Sequence, residues 1–155
     1  MKVILTSILT LVLFNLANAQ IGISLEDAKT RGIEVAQLDS TYRSGIHSDA
    51  SKAVFGDQQN AYIKAYYSMI HDLSAFLNGR DFRWGSQTRC FNRIYFSADG
   101  SIDYFIYEFS EGELNSDRKE TFERLLNEFI VDYKFSLTSN VPFAQCSPVN
   151  YRDTL

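Results

Sequence analysis

The sequence contains two histidines, His47 and His71, the side chains best suited to acid–base chemistry near neutral pH. His47 lies close in the chain to Ser44 and Asp49, so the three residue types of a hydrolytic triad occur together. A triad is assembled from separate elements, however, and the Gly-x-Ser-x-Gly turn that presents a nucleophilic serine does not occur. His71 lies within a helical pattern and has no neighbouring ligand set. We therefore predict no catalytic residue and keep His47 as a candidate binding residue.

Two aromatic side chains are candidate binding residues as well. Trp84, the single tryptophan, lies between a predicted helix and a predicted hairpin. It is either a core anchor or an exposed platform on which a sugar or peptide stacks. Tyr107 lies on the second strand of the hairpin. The aromatic face of the sheet that carries Tyr107 is either covered by the N-terminal segment or used by a ligand.

Acidic residues are plentiful but show no metal-binding spacing. Glu108, Glu111 and Glu113 form either an acidic rim near a carbohydrate or a calcium ion, or an ordinary solvated loop. The Asp-x-Asp-x-Asp-Gly spacing of calcium loops does not occur, and the two cysteines lie too far apart in the chain to resemble a zinc module. We predict no metal site and no cofactor.

Residues 1–19 have the pattern of a secretory signal peptide. Lys2 precedes an apolar run, and Ala17 and Ala19 supply the small residues of a cleavage site. The run is shorter than the roughly twenty residues that span a membrane, so we expect cleavage rather than a retained anchor. A lipoprotein needs a cysteine directly after the cleavage site, whereas the first cysteine is Cys90. The sequence predicts a protein exported to the periplasm or the cell exterior, without a lipid anchor or a transmembrane segment after cleavage.

The remaining residues, 20–155, are near the commonest size of one domain. The chain has a formal net charge of −4 and no basic stripe, so nucleic acid is not an expected partner. Aromatic residues make up 14% of the chain, and no repeat or low-complexity tract occurs. These features favour a single folded domain with a substantial core.

Cys90 and Cys146 are the two cysteines of the chain. In an exported protein such a pair most simply forms one disulfide, and we predict a bond between them. The alternatives are two free buried thiols or half of a metal site. Because Cys90 begins the first hairpin strand and Cys146 lies near the end of the last predicted strand, the bond favours antiparallel pairing of these strands.

Hydrophobic periodicity predicts two long amphipathic helices, at about 57–78 and 117–134. Between them, aromatic and β-branched residues flank Asp99 and Gly100 and predict a β-hairpin at 89–109. Three shorter segments are expected: a helix at 24–32, a polar loop at 39–56 and a strand within 141–148.

The hairpin register decides which side chains share a face. If the turn has three residues with Gly100 in the left-handed region, Ser97 faces Ser101. One face then carries Ile94, Phe96, Ile102, Tyr104 and Ile106, and the other carries Phe91, Tyr95, Phe105, Tyr107 and Phe109. A two-residue Asp-Gly turn would shift the pairing by one residue and mix these sets.

Together these elements predict an α+β fold. A small antiparallel sheet, made of the hairpin at 89–109 and a C-terminal strand, is packed by the two long helices and joined by one disulfide. Both helices are expected on one face of the sheet. The other, aromatic face needs cover from the N-terminal segment unless it is a binding surface.

Two cysteine-bearing runs, 88–105 and 143–148, resemble a group of uncharacterised exported proteins of Bacteroidota-type bacteria. The resemblance extends over about 38–151 and implies a compartment but no activity. The order helix, hairpin with Asp-Gly, helix, strand is similar to the periplasmic C-terminal domain of TonB-type energy transducers. In that family a short strand binds the TonB box of an outer-membrane receptor by strand addition. The Tyr-Pro motif that precedes the hairpin there is absent here, so this resemblance implies the fold alone.

The sequence thus favours an exported, non-catalytic binding or interaction domain of the cell envelope. Its expected partner is an envelope protein or peptide, met through a sheet edge or an aromatic face, with His47, Trp84 and Tyr107 as candidate binding residues. Two alternatives are a small exported hydrolase that uses His47 and nearby acids, and an accessory or inhibitory secreted protein. An enzyme would need His47 to face a cleft near a second polar element.

Overall fold

The computed structural model describes residues 20–153, which form five β-strands and four α-helices. The predicted leader, residues 1–19, lies outside the described residues. In chain order the elements are β1 (Ile21–Ser24), α1 (Leu25–Thr30), α2 (Val35–Thr41), β2 (Arg43–Ser44), α3 (Gln59–Gly79), β3 (Thr88–Phe96), β4 (Ile102–Phe109), α4 (Ser116–Asp132) and β5 (Phe143–Tyr151). Within 20–153, no helix is both long and apolar enough to span a membrane.

The strands form one mixed sheet in the order β1-β4-β3-β5-β2. The central strand β3 runs antiparallel to both β4 and β5, whereas β1 is parallel to β4 and β2 is parallel to β5. The fold is therefore mixed α/β, and the prediction of a small antiparallel sheet is wrong. The two edge strands have four and two residues, which is too short for the alternation of apolar and polar residues that identifies a strand in a sequence.

The predicted long helices correspond to α3 and α4, which pack on one face of the sheet and enclose the main core. Asn115 caps α4, because its side chain accepts a hydrogen bond from the Arg118 N–H at 2.9 Å. The buried side of α4 carries apolar residues three and four positions apart: Phe122, Leu125, Leu126, Phe129 and Ile130.

The opposite face of the sheet packs against α1 and α2. Ser24 caps α1, and its hydroxyl accepts a hydrogen bond from the Asp27 N–H at 3.0 Å. A second, smaller core cluster forms on this face: Ile23, Ala28, Tyr95, Ile106 and Ala144. The N-terminal segment therefore covers the aromatic face around Tyr95.

The hairpin of β3 and β4 has the expected three-residue turn. The Ser97 N–H donates to the Ser101 carbonyl at 2.9 Å, and Gly100 lies in the left-handed region with φ +86°. Phe96 pairs with Ile102 directly beyond the turn.

A β-bulge at Asp103 then changes the register. Tyr95 pairs with Tyr104, so β4 carries one more residue than β3 over this stretch. The Asp103 carboxylate is buried and accepts hydrogen bonds from the hydroxyls of Ser97 at 2.7 Å and Tyr42 at 2.9 Å. The bulge exchanges the predicted faces from Tyr104 onward. The main core consequently receives Phe105 and Tyr107, and the smaller cluster receives Tyr104 and Ile106.

Cys90 and Cys146 are not bonded, and the predicted disulfide is wrong. The two residues lie on adjacent antiparallel strands, but Cys146 is opposite Arg93, three residues along β3 from Cys90. Three residues of a strand span roughly 10 Å and reverse the side-chain face, whereas a disulfide needs Cα atoms within about 7 Å. Cys90 accordingly lies in the main core, and Cys146 is exposed on the other face.

We expect the two thiols to differ strongly in reactivity. Burial raises the pKa of Cys90 to about 12, and its Sγ donates a hydrogen bond to Asn92 Oδ1 at 3.2 Å. Iodoacetamide should therefore alkylate exposed Cys146 in the folded protein about ten times faster than Cys90, or more, and denaturant should remove the difference. Mass spectrometry of tryptic peptides measures both rates. Equal rates in the folded protein, or two thiols that react only after reduction, would contradict this structure.

Candidate functional site

Trp84 lies in the core among other aromatic rings. It is 3% exposed, stacks on Tyr151 with ring centroids 4.6 Å apart, and meets Phe82 edge-on at 4.9 Å. Asp153, which follows β5, holds the backbone of this segment in place: its carboxylate accepts hydrogen bonds from the N–H groups of Trp84 and Gly85 at 2.7 and 2.9 Å. Trp84 thus occupies the position of a core anchor and presents almost no surface to a ligand.

Tyr107 is also buried, although it borders a depression of about 530 Å³ lined by acids and lysines. Its hydroxyl donates to Glu123 Oε2 at 2.7 Å, and the same oxygen accepts a hydrogen bond from the Ser24 N–H at 3.3 Å. Burial, together with the Glu123 carboxylate, raises the pKa of Tyr107 above its usual range. The side chain therefore joins β4, α4 and β1 and is not open to a ligand.

His47 lies on an exposed loop between β2 and α3. Its Nδ1 accepts a hydrogen bond from the Asp49 N–H at 2.9 Å, and the backbone N–H of His47 donates to Gln59 Oε1 at 3.0 Å. The Asp49 carboxylate accepts from Ser51 instead of the imidazole, and the Ser44 hydroxyl donates to a loop carbonyl. Ser44, His47 and Asp49 therefore do not form the hydrogen-bond relay of a hydrolytic triad.

One edge of the sheet, the outer side of β1, is closed by side chains of α4. Asn127 Oδ1 accepts a hydrogen bond from the Gly22 N–H at 2.9 Å, and its Nδ2 donates to the Gly22 carbonyl at 2.7 Å. The Ser24 N–H donates to Glu123. The backbone groups that a further strand would need at Gly22 and Ser24 are therefore already used.

The opposite edge is open along most of β5. β2 pairs with β5 only at Phe143 and Ala144, and Gly45 makes the last bond, from its N–H to the Ala144 carbonyl at 2.9 Å. β5 continues to Tyr151, and among residues 20–153 no strand lies beside this part of its outer edge.

The unpaired groups on this edge follow from the alternation of the strand. Backbone groups of successive residues point to opposite edges, and the Ala144 carbonyl points towards β2. Those of Cys146, Pro148 and Asn150 therefore point to the open edge, because the β5 register with β3 is continuous. This edge offers three carbonyl acceptors but two N–H donors, since Pro148 has no N–H. The Cys146 carbonyl receives one long hydrogen bond, 3.4 Å, from the Gln145 side chain.

An apolar groove of about 430 Å³ lies between this open edge and α3. Its walls include Ile46, Ile63, Tyr66, Tyr67, Ile70 and Val149. Tyr67 is 67% exposed, the most exposed large apolar side chain among the described residues. The Tyr66 and Ser147 hydroxyls share a hydrogen bond of 2.5 Å. Unpaired strand groups beside apolar walls are the features by which proteins recognise an extended peptide.

The chain matches no family model, no curated protein and no solved structure. The resemblances to exported Bacteroidota-type proteins and to the TonB C-terminal domain therefore stay predictions. The interpretation of the groove rests on its geometry alone.

Sequence reasoning does not identify the groove, because its two walls come from α3 and β5, which are far apart in the chain. None of the three candidate binding residues lines the groove, although His47 directly follows Ile46, which does. One signal was present in the sequence. A proline within a strand-like run, here Pro148, is typical of an edge strand whose N–H side is unpaired.

Proposed function

We propose that this chain is a non-catalytic binding domain of the cell envelope that binds an extended segment of an envelope protein. The segment adds to the sheet as a strand on the open edge of β5, and its side chains enter the groove beside α3. The observation that carries the proposal is the contrast between the two sheet edges. Side chains of α4 close the β1 edge, whereas the β5 edge has unpaired backbone groups next to an apolar groove.

Strand addition supplies both affinity and selectivity in such sites. Main-chain hydrogen bonds hold the segment, and pockets for alternate side chains select its sequence. The location in the envelope rests on the signal-peptide pattern of residues 1–19. The hydrolase alternative receives no comparable support, since the His47 imidazole accepts a hydrogen bond from the Asp49 N–H within its own loop.

Replacing Asn150 with proline should weaken binding about ten-fold or more while leaving the fold intact, because one of the two N–H donors on the open edge is lost. The variant removes an N–H that points to the open edge and does not pair with β3. The probe is a phage-displayed library of random peptides of about eight residues, long enough to span the open edge. We expect the wild-type protein and the matched control Asn150→Ala to retain the same peptides with similar affinity, and Asn150→Pro to bind these peptides about ten-fold more weakly or worse. Thermal unfolding checks that both variants are folded.

Tyr67→Ala should weaken the binding of a selected peptide by about ten-fold, because the exposed ring forms one wall of the groove. The matched control is Val131→Ala on α4, which removes a side chain that is 61% exposed and lies outside the groove. Fluorescence anisotropy of a labelled peptide measures both affinities. Failure to select any peptide, or peptides indifferent to both Asn150→Pro and Tyr67→Ala, would overturn the proposed function.

A further inference from the structure

We infer that the bound segment runs antiparallel to β5 and carries apolar side chains at alternate positions, separated by residues other than proline. This inference rests on the proposed function and specifies the class of peptide that the open edge accepts.

The chain itself shows that this edge accepts a strand. β2 (Arg43–Ser44) occupies its first positions in parallel orientation. That short pairing is supported from its other side, where the N–H groups of Val54 and Phe55 donate to the carbonyls of Ser44 and Gly45 at 3.0 and 3.1 Å. A separate segment would lack this support. Antiparallel pairing is more stable per residue, and β5 already pairs in this way with β3, so we assign the antiparallel orientation to the segment.

Antiparallel pairing determines which N–H groups of the segment are used. The residues opposite Cys146, Pro148 and Asn150 donate to the three outward carbonyls of β5. Residues directly opposite each other share a face of the sheet. The donating residues therefore point their side chains to the face of Cys146, away from the groove. Proline is excluded at these positions because it has no N–H.

The intervening residues of the segment point into the groove. On β5 this face carries Ser147 and Val149, and α3 contributes Tyr67 and Ile70. None of the residues that line the groove carries a formal charge. A charged side chain placed there would lose hydration without gaining a partner. Apolar side chains are therefore favoured at these positions.

Pro148 provides a further test that the segment pairs with the outward backbone groups of β5. In the complex, one carbonyl of the segment faces Pro148 and finds no donor. Pro148→Ala adds that donor on the open edge without changing the pairing with β3. We expect this variant to bind the segment roughly two- to ten-fold more tightly, the range of one added hydrogen bond.

An N-methyl scan of a selected peptide tests the inference. Each residue is replaced in turn by its N-methyl form, and affinity for the full-length protein is measured by anisotropy. We expect losses of about ten-fold or more at every second residue, where the N–H donates to β5 and the methyl group prevents pairing. The tolerant residues should be the apolar ones, and their replacement by serine should weaken binding.

Each outcome of the scan has a distinct meaning. Losses at the apolar residues themselves would indicate parallel binding and overturn the inference, because in a parallel pair the groove-facing residues donate. Losses without alternation would overturn it as well. In these cases the proposed function stands if Asn150→Pro still weakens the binding of the peptide. No gain of affinity in Pro148→Ala would overturn pairing with the outward groups of β5 in either orientation. If no peptide is bound at all, the proposed function itself is overturned.

Discussion

Replacing Trp84 with alanine should lower the free energy of unfolding by about 3–5 kcal/mol, the range for removing a large aromatic side chain from a core. The indole stacks on Tyr151 and contacts Phe82, Phe109 and Phe122, so its loss leaves a cavity that rigid neighbouring rings cannot fill. Denaturant unfolding followed by circular dichroism measures the change, because the variant has no tryptophan left to report fluorescence.

The matched control is Tyr67→Ala, which also removes an aromatic ring but from an exposed position on α3. It should change the free energy of unfolding by no more than about 0.5 kcal/mol. The wild-type protein should also show a strongly blue-shifted tryptophan emission. A cost for Trp84→Ala below about 1 kcal/mol, or emission typical of an indole in water, would contradict the buried position.

Gly100→Ala should lower the free energy of unfolding by about 3 kcal/mol, through two additive effects. With φ +86°, an alanine here adopts a left-handed conformation that costs about 1–2 kcal/mol. Its Cβ would also lie 2.7 Å from the Phe135 carbonyl oxygen. That oxygen belongs to a backbone segment tied to the turn, since the Phe135 N–H donates to the Gly100 carbonyl at 2.9 Å. Relieving the contact therefore strains the turn itself.

Gly32→Ala separates these two effects. Gly32 has φ +73°, but no atom lies within 4 Å of a Cβ built there. The variant should carry the conformational cost alone, about 1–2 kcal/mol. Chemical unfolding of both variants measures the difference. Equal costs at the two positions would show that the close approach of Phe135 has no energetic role.

The elements that the sequence predicts well are those defined by local patterns. The stripe from Phe122 to Ile130 repeats every three or four residues, and Asn115 offers a cap directly before it, so α4 is identified within two residues of its observed ends. Asp99 and Gly100 likewise identify the hairpin turn. In each case the signal and the structure involve the same short stretch of chain.

The failures involve residues that meet only in the folded sheet. At the bulge, the buried Asp103 carboxylate accepts hydrogen bonds from Ser97 and from Tyr42, a residue far away in the chain. The disulfide prediction used the direction of two strands, but their offset places Cys90 and Cys146 on opposite faces. A sequence specifies neither the offset of the two strands nor the distant donor, Tyr42.

The groove is likewise formed by residues that meet only in the folded protein. Tyr67 reads as the exposed side of an amphipathic helix, and Pro148 as the end of a strand. Their significance appears only when β2 leaves the edge of β5 at Gly45 and α3 packs alongside. A binding site formed by unpaired backbone groups gives little signal in the residue types of a sequence.

The position of β5 has a consequence for how the protein is made. Among residues 20–153, the last strand in chain order lies inside the sheet, between β3 and β2, and the first pairs with β4. Synthesis proceeds from the N-terminus, so neither β2 nor the free side of β3 has its partner until β5 emerges. The sheet therefore stays incomplete until β5 has been made. A product truncated before Phe143 would expose the central strand together with the wall of α3, and we expect such a fragment to aggregate or to be degraded.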